Sequence, residues 1–269
     1  MRIQTEEWQR FIPGVRMYKG KKTLFYNGEI LWDDDENEGW LIYDWEEQQS
    51  WEVLIVLPGV EVISRKFFST CEKLETVIMA DDSVETIEES AFAHCRSLKF
   101  VRLSRNLEFI GKGAFLHCTS LTSIFIPPSC REIDNEAFQY CSKLIIFNVS
   151  RQTQLGEHVI ANTALIRGSP FKVSSFFGNY ENTEEVNQWI KGINEDDTYE
   201  LHQACSSFNP LIEIIYGIVK RKGPCAFHKK NEIGMTAVDY LEANPCIENE
   251  IDQNVLMKRY VLEMMGEAV

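Results

Sequence analysis

Cys118-Thr119-Ser120-Leu121-Thr122-Ser123-Ile124-Phe125-Ile126-Pro127 decides the architecture, because its pattern returns along the chain. Cysteines recur at Cys71, Cys95, Cys118 and Cys141, with spacings of 24, 23 and 23 residues. Three residues after each stands a leucine: Leu74, Leu98, Leu121 and Leu144. Three residues before the last three cysteines stand Phe92, Phe115 and Phe138. A period of this size marks a solenoid, because one such unit cannot bury its apolar face alone and must stack on its neighbours.

Working outward, each unit places an apolar pair six and eight residues after its cysteine, then an isoleucine, then the phenylalanine. The unit from Cys95 gives Val101, Leu103, Ile110 and Phe115; the unit from Cys118 gives Ile124, Ile126, Ile133 and Phe138. The unit from Cys71 gives Val77, Met79, Ile87 and Phe92, and the degenerate unit from Cys141 gives Phe147, Val149, Leu155 and Ile160. An earlier unit without a cysteine begins near Trp51 and supplies Ile55, Leu57, Ile63 and Phe68. The apolar pair has period two and predicts a short strand. The Ala-Phe segments (Ala91-Phe92, Ala114-Phe115, Ala137-Phe138) predict a short helical turn on the opposite side.

These residues resemble the BspA-type class of leucine-rich repeats over about residues 51–165. The layout as a whole also resembles a large family of leucine-rich-repeat proteins expanded in some microalgae, through the stretch Leu201-His202-Gln203-Ala204-Cys205-Ser206-Ser207-Phe208-Asn209-Pro210. That family lends no known activity; a solenoid as such usually binds partners on an extended surface. The expected fold is an α/β solenoid, a leucine-rich-repeat stack. Residues 1–50 form an N-terminal β-rich cap, 51–170 the repeats, and 181–269 a helical, ankyrin-like region.

The flanks carry these expectations. Lys22 to Trp32 and Trp40 to Tyr43 read as strands around the acidic turn Asp33 to Gly39, closing the apolar end that a solenoid would otherwise expose. Asn182 with Glu185 is a capping-box-like helix start running to about Gly192. Asn209-Pro210 starts a second helix over Leu211 to Lys222. Gly234-Met235-Thr236-Ala237-Val238 and, more partially, Leu201-His202-Gln203-Ala204 resemble the ankyrin box. His202 then resembles the ankyrin histidine that hydrogen-bonds within its own turn. A last helix is expected over about Gln253 to Met265.

The chain has 269 residues and a net charge of -14. That balance argues against nucleic-acid binding, which needs a basic face. No run approaches the ~20 apolar residues of a membrane span, and the first residues do not read as a secretory signal. Four of the eight cysteines share one repeat position, so they read as buried, reduced thiols in a cytoplasmic or nuclear protein.

Candidate chemistry is thin. Asp33, Asp35 and Asn37 have the first spacings of a calcium loop, but Glu38 stands where glycine is needed and Asp44 where glutamate is needed. Gly14 to Lys21 lacks the glycine spacing of a phosphate loop. His94-Cys95 and His117-Cys118 repeat in register and read as structural. Neither a catalytic residue, a metal ligand nor a cofactor is assigned. The strand face is more informative. Residues between the buried positions are expected to point outward: Leu54 and Val56, Thr76 and Ile78, Phe100 and Arg102, Ser123 and Phe125, Ile146 and Asn148. Val56, Ile78, Phe100, Arg102, Phe125 and Ile146 are the candidate binding residues for an unidentified protein partner, because exposed apolar ladders mark docking surfaces. The expected function is a non-enzymatic interaction scaffold. A surface or secreted adhesion module is the alternative, and an enzyme comes last. Cover of the ladder by the chain's own ends stays open.

Overall fold

The computed structural model describes residues 14–18, 20–28, 48–167, 183–193, 200–206, 215, 218–219, 221–222, 224–231 and 234–243. Strands β1 (Gly14–Tyr18) and β2 (Lys21–Tyr26) form an antiparallel hairpin whose turn uses Gly20 at φ +81°. Five coils follow. Their first strands are β3 (Val53–Val56), β5 (Thr76–Met79), β7 (Phe100–Arg102), β9 (Ser123–Phe125) and β11 (Ile146–Asn148). Their second strands are β4 (Val62–Ile63), β6 (Thr86–Ile87), β8 (Phe109–Ile110), β10 (Glu132–Ile133) and β12 (Gln154–Leu155). The first strands make one parallel sheet through β7 and a separate pair β9–β11, while the second strands form one unbroken parallel sheet. The hairpin joins the first sheet, because β2 runs parallel to β3 with Leu24 opposite Leu54 and Tyr26 opposite Val56.

The repeat positions explain the stack. Phe68, Phe92, Phe115 and Phe138 are fully buried and lie face to face, with centroids 5.4, 5.3 and 5.1 Å apart and planes within 9°. At one end Phe68 meets Tyr26 and Trp51, and at the other Phe138 meets Phe147 edge-on. The cysteines serve two purposes. They are small enough for the tight turn, and each thiol donates to the phenylalanine carbonyl of the preceding coil. These bonds run from Cys95 to Phe68 (3.0 Å), Cys118 to Phe92 (3.3 Å) and Cys141 to Phe115 (3.2 Å). Each of these carbonyls also accepts the N–H three residues on, as Phe92 O does from Cys95 N at 3.3 Å, so the thiol supplies a second, weak bond that ties one coil to the next.

The Ala-Phe segment is a turn closed by bonds three residues long, such as Ala91 N to Glu88 O at 3.2 Å, and not a helix. Its phenylalanine N–H groups donate onward to the next coil: Phe92 to Ala114 (2.8 Å), Phe115 to Ala137 (2.8 Å) and Phe138 to Val159 (2.9 Å). Two positions per coil take positive φ to make these corners. One set is Lys66, Ser90, Gly113, Glu136 and His158, and the other is Thr70, His94, His117, Tyr140 and Asn162. Only one of the ten is glycine, so coil-to-coil bonding holds the rest in a region that costs about 1–3 kcal/mol each.

Both ends of the described stack are covered. At the hairpin end, Lys21 Nζ and Lys99 Nζ reach the two carboxylate oxygens of Glu75 at 2.5 and 2.8 Å. The two ammonium groups, Lys21 first, hold that carboxyl down to about 2. Lys99 is exposed and Lys21 and Glu75 partly so, and a trio this wet adds little stability. At the other end, helix α1 (Ala164–Arg167) follows Thr163, whose hydroxyl accepts from Ile166 N at 3.2 Å. Helix α2 (Thr183–Ile193) begins at the position that follows the expected cap residue, buries Val186 and Ile190, and sends Asn187 Nδ2 to the carbonyls of Leu155 and Gly156 at 3.0 and 3.2 Å. It thus satisfies acceptors that the last coil leaves free. Helix α3 (Glu200–Ser206), a 3-10 turn (Pro224–His228) and helix α4 (Ala237–Ala243) follow. Leu201, Cys205, Ile215, Ile218, Phe227, Tyr240 and Leu241 join the solenoid in one continuous core. The acidic turn Asp33 to Gly39, the strand expected over Trp40 to Tyr43 and the helix expected over Gln253 to Met265 lie outside the described residues.

Candidate functional site

The register of the strand face fixes which side chains leave the core. Val53, Ile55, Thr76, Ile78, Phe100 and Arg102 occupy equivalent outward rows, because Val53 pairs with Thr76 and Thr76 with Phe100, and Ile55 pairs with Ile78 and Ile78 with Arg102. Ser123 and Phe125 pair with Ile146 and Asn148 in the same sense. Leu54 and Val56 therefore lie on the inward rows, opposite Val77 and Met79, and both are fully buried in the main core. This corrects the expected outward placement of Val56 and Leu54. In the first coil Trp51 fills the leucine place and Gln48 the cysteine place, with Gln48 Nε2 donating to Phe67 O at 2.6 Å. Without a cysteine to anchor it, the sequence alignment slips by one residue, and a slip of one exchanges the two faces of a strand. Ile55 and Leu57 take the outward positions instead.

That outward face is apolar but largely shut. Phe25, Ile55, Leu57 and Ala80 form a second buried cluster, with Val53 and Ile78 packed against it. Phe125 and Ile146 are each 1% exposed, while Ile78 and Phe100 are partly buried. Of the candidate residues, Ile78, Phe100, Arg102, Phe125 and Ile146 do share one face, and the ladder they make is closed to solvent over much of its length.

Arg102 is 3% exposed, and its guanidinium is engaged within the chain. Nη1 donates to Met79 O at 2.8 Å and Nη2 to Asp81 Oδ1 at 2.5 Å. Arg105 Nε approaches the same Asp81 oxygen at 3.4 Å. The arginine expected to meet a partner thus stabilises the bend after β5. It sits where the first-strand sheet is interrupted, between β7 and β9.

Two repeated pairs separate cleanly by face. The thiols of Cys95 and Cys118 point inward, and burial, with the neighbouring thiols second, pushes them well above the ordinary cysteine value. Burial likewise raises Cys130 and Cys205 to about 12. Thiols this reluctant to ionise are poor nucleophiles and poor metal ligands. His94 and His117 face the other way, partly exposed, and their rings stack at 4.8 Å. Burial first, then the charges of His94 and Arg96, hold His117 below the ordinary histidine value. Among the described residues no three histidine, cysteine, aspartate or glutamate side chains gather as a metal site. Gly14 to Lys21 is hairpin, not a phosphate cradle.

In the helical region His202 Nε2 lies 3.1 Å from the carbonyl of Met235, thirty-three residues on, and its ring meets Tyr240 edge-on at 5.9 Å. It ties α3 to the loop before α4, which differs from the expected bond within its own turn. Thr236 and Asp239 cap α4 reciprocally, with Thr236 N to Asp239 Oδ2 at 2.7 Å and Asp239 N to Thr236 Oγ1 at 3.2 Å. Burial holds His202 below its ordinary value, and Nε2, facing the Met235 carbonyl oxygen, is the donor of that bond.

Comparison with known proteins follows the repeat. Residues 60–180 match the family described as BspA type leucine rich repeat region, in 6 copies. Three similar solved structures are a leucine rich repeat protein of T. pallidum (25% identity, TM-score 0.39), a leucine-rich repeat protein from Bacteroides ovatus (18%, 0.32) and the pneumococcal vaccine antigen PcpA (21%, 0.37). The alignments cover 42%, 58% and 56% of this chain and 56%, 57% and 37% of those chains. The chain thus spans little more than half the length of the first two. No curated protein matches it.

Proposed function

We propose, from the premise that this chain carries a BspA-type leucine-rich-repeat region over residues 60–180, that it is a non-enzymatic interaction module that recognises an apolar polypeptide segment on its first-strand face. The observation that carries this reading is the apolar outward row of the first strands, where Ile55 lies in a second buried cluster, Ile78 packs against it, and Phe100 on the next strand is partly exposed. A rigid stack holds that face in place before a partner arrives, so binding loses little conformational entropy. Because Phe125 and Ile146 are closed to solvent, the accessible part of the site centres on Ile78 and Phe100.

The free, buried cysteines support a reducing compartment, cytoplasmic or nuclear. Among the described residues no helix is long and apolar enough to cross a membrane. The ankyrin-like helices would present a second surface.

Selection of displayed peptides on the full chain tests the reading. Wild type should enrich extended apolar peptides, and Ile78→Asp/Phe100→Asp should lose them while keeping its far-ultraviolet spectrum. Peptides that bind both proteins equally would overturn it.

A further inference from the structure

The corner just before each repeat cysteine builds a second surface. His94, His117 and Tyr140 hold φ of 62°, 61° and 61°. Their backbone N–H groups donate to Leu116, Gln139 and Ala161 at 2.7, 2.9 and 2.9 Å, so the three side chains leave successive coils in register. The rings stack, His94 on His117 at 4.8 Å and His117 on Tyr140 at 4.4 Å with planes 2° apart, and all three stay partly exposed.

A hydroxyl and guanidinium column runs beside the rings. Thr119 Oγ1 donates to Arg96 O at 3.4 Å, Ser142 Oγ to Thr119 O at 3.5 Å, and Arg167 Nη2 to Ser142 O at 2.5 Å. Ser97, Ser120 and Lys143 follow the column in sequence, and Arg96, Lys143 and Arg167 are exposed. Across residues 93–98, 117–121 and 140–144 there is no carboxylate, in a chain of net charge -14. The strip is a positive, hydroxyl-rich island on an acidic molecule.

We propose that this corner edge docks a short acidic polypeptide segment lying along the solenoid axis. Coils stack about 4.8 Å apart, so Arg96 and Lys143, two coils apart, are separated by roughly 10 Å along that axis. A polyproline II segment advances about 3.1 Å per residue and turns once in three residues, which places carboxylates spaced Glu-x-x-Glu on one face, opposite those two cations. The hydroxyls of Ser97, Thr119 and Ser120 lie between them as hydrogen-bond partners for the segment. The net charge favours a short segment over a long polyanion, because repulsion from the rest of the molecule is screened beyond about 8 Å only for a ligand that stays within the strip.

The test measures anisotropy of a fluorescent peptide with Glu-x-x-Glu spacing against the full chain. Three controls accompany it: the same peptide with lysines, linear polyphosphate as competitor, and a salt series. Wild type should bind the acidic peptide and not the lysine peptide, more weakly as salt rises. Arg96→Glu/Lys143→Glu, two exposed positions, should weaken binding by about tenfold or more at an unchanged melting temperature. Ile78→Asp/Phe100→Asp should bind it as wild type does, which separates this site from the strand face. Equal binding by the Arg96→Glu/Lys143→Glu protein, no binding by wild type, or displacement by polyphosphate at the same charge concentration would overturn the proposal.

Discussion

Replacing Phe115 by alanine probes what holds the stack together. The ring is fully buried and lies between Phe92 at 5.3 Å and Phe138 at 5.1 Å, nearly parallel to both. Truncating a buried phenylalanine costs about 3–5 kcal/mol, of which the two ring contacts supply roughly 0.5–1.5 kcal/mol each. A domain is held by about 5–15 kcal/mol in all, so one interior ring is a large share. Because each coil touches only its neighbours, the loss falls on both interfaces of the third coil and should also reduce cooperativity. Urea unfolding followed by circular dichroism and by tryptophan fluorescence measures this, since Trp51 packs near Phe68 at the hairpin end. Wild type should give one transition by both probes. Phe115→Ala should lose 3 kcal/mol or more, and its two transitions should separate. A double-mutant cycle of Phe92→Leu with Phe115→Leu should return a coupling near 1 kcal/mol. A loss below about 1 kcal/mol for Phe115→Ala, with coincident probes, would refute the claim that the ring column carries the fold.

Other positions give sharper tests of local geometry. A Cβ on Gly111 would lie 2.7 Å from Glu89 N and 2.8 Å from Glu88 C, backbone atoms of the preceding coil; Gly111→Ala should therefore cost about 1–3 kcal/mol, read as a fall in melting temperature. Lys66 is exposed at φ 58°, and Lys66→Gly should relieve enough strain to stabilise by about 1 kcal/mol after the entropy of the added glycine. Arg102→Ala leaves Asp81 with only the longer contact to Arg105 and orphans Met79 O, a cost of about 3 kcal/mol in urea unfolding. Because the folded state holds His117 below its ordinary value of 6.5, the unfolded chain takes up the proton first. The contribution of His117 is thus intact above pH 6.5 and lost as pH falls through the lower folded value. His117→Asn, which tolerates the left-handed corner, should flatten that part of the acid slope in melting temperature between pH 7 and 5.

The repeat itself was legible because its anchors are chemically distinctive. Cysteine and leucine at fixed offsets located β5, β7, β9 and β11 closely. The first coil shows the limit, since Gln48 and Trp51 replace those anchors and the register slipped by one, carrying Val56 to the wrong face. The second strands are not legible as strands because two residues are too short for a period of two to show, although Ile63, Ile87, Ile110 and Ile133 recur as apolar positions. His94 and His117 were legible as a repeated position but not as a stack that continues to Tyr140, because ring geometry depends on the left-handed backbone beneath it. The closure of the strand face over Phe125 and Ile146 could not be read from the coils alone. Burial of an outward residue depends on what packs over it, and no periodicity within the repeat records that.

The most direct test of the strand-face account is amide hydrogen exchange on the full chain, with and without a peptide selected on it. The account predicts added protection in residues 76–78, 100–102, 123–125 and 146–148, centred on the first two stretches. Protection confined to α3 and α4, or to the corners around His94 and His117, would contradict it.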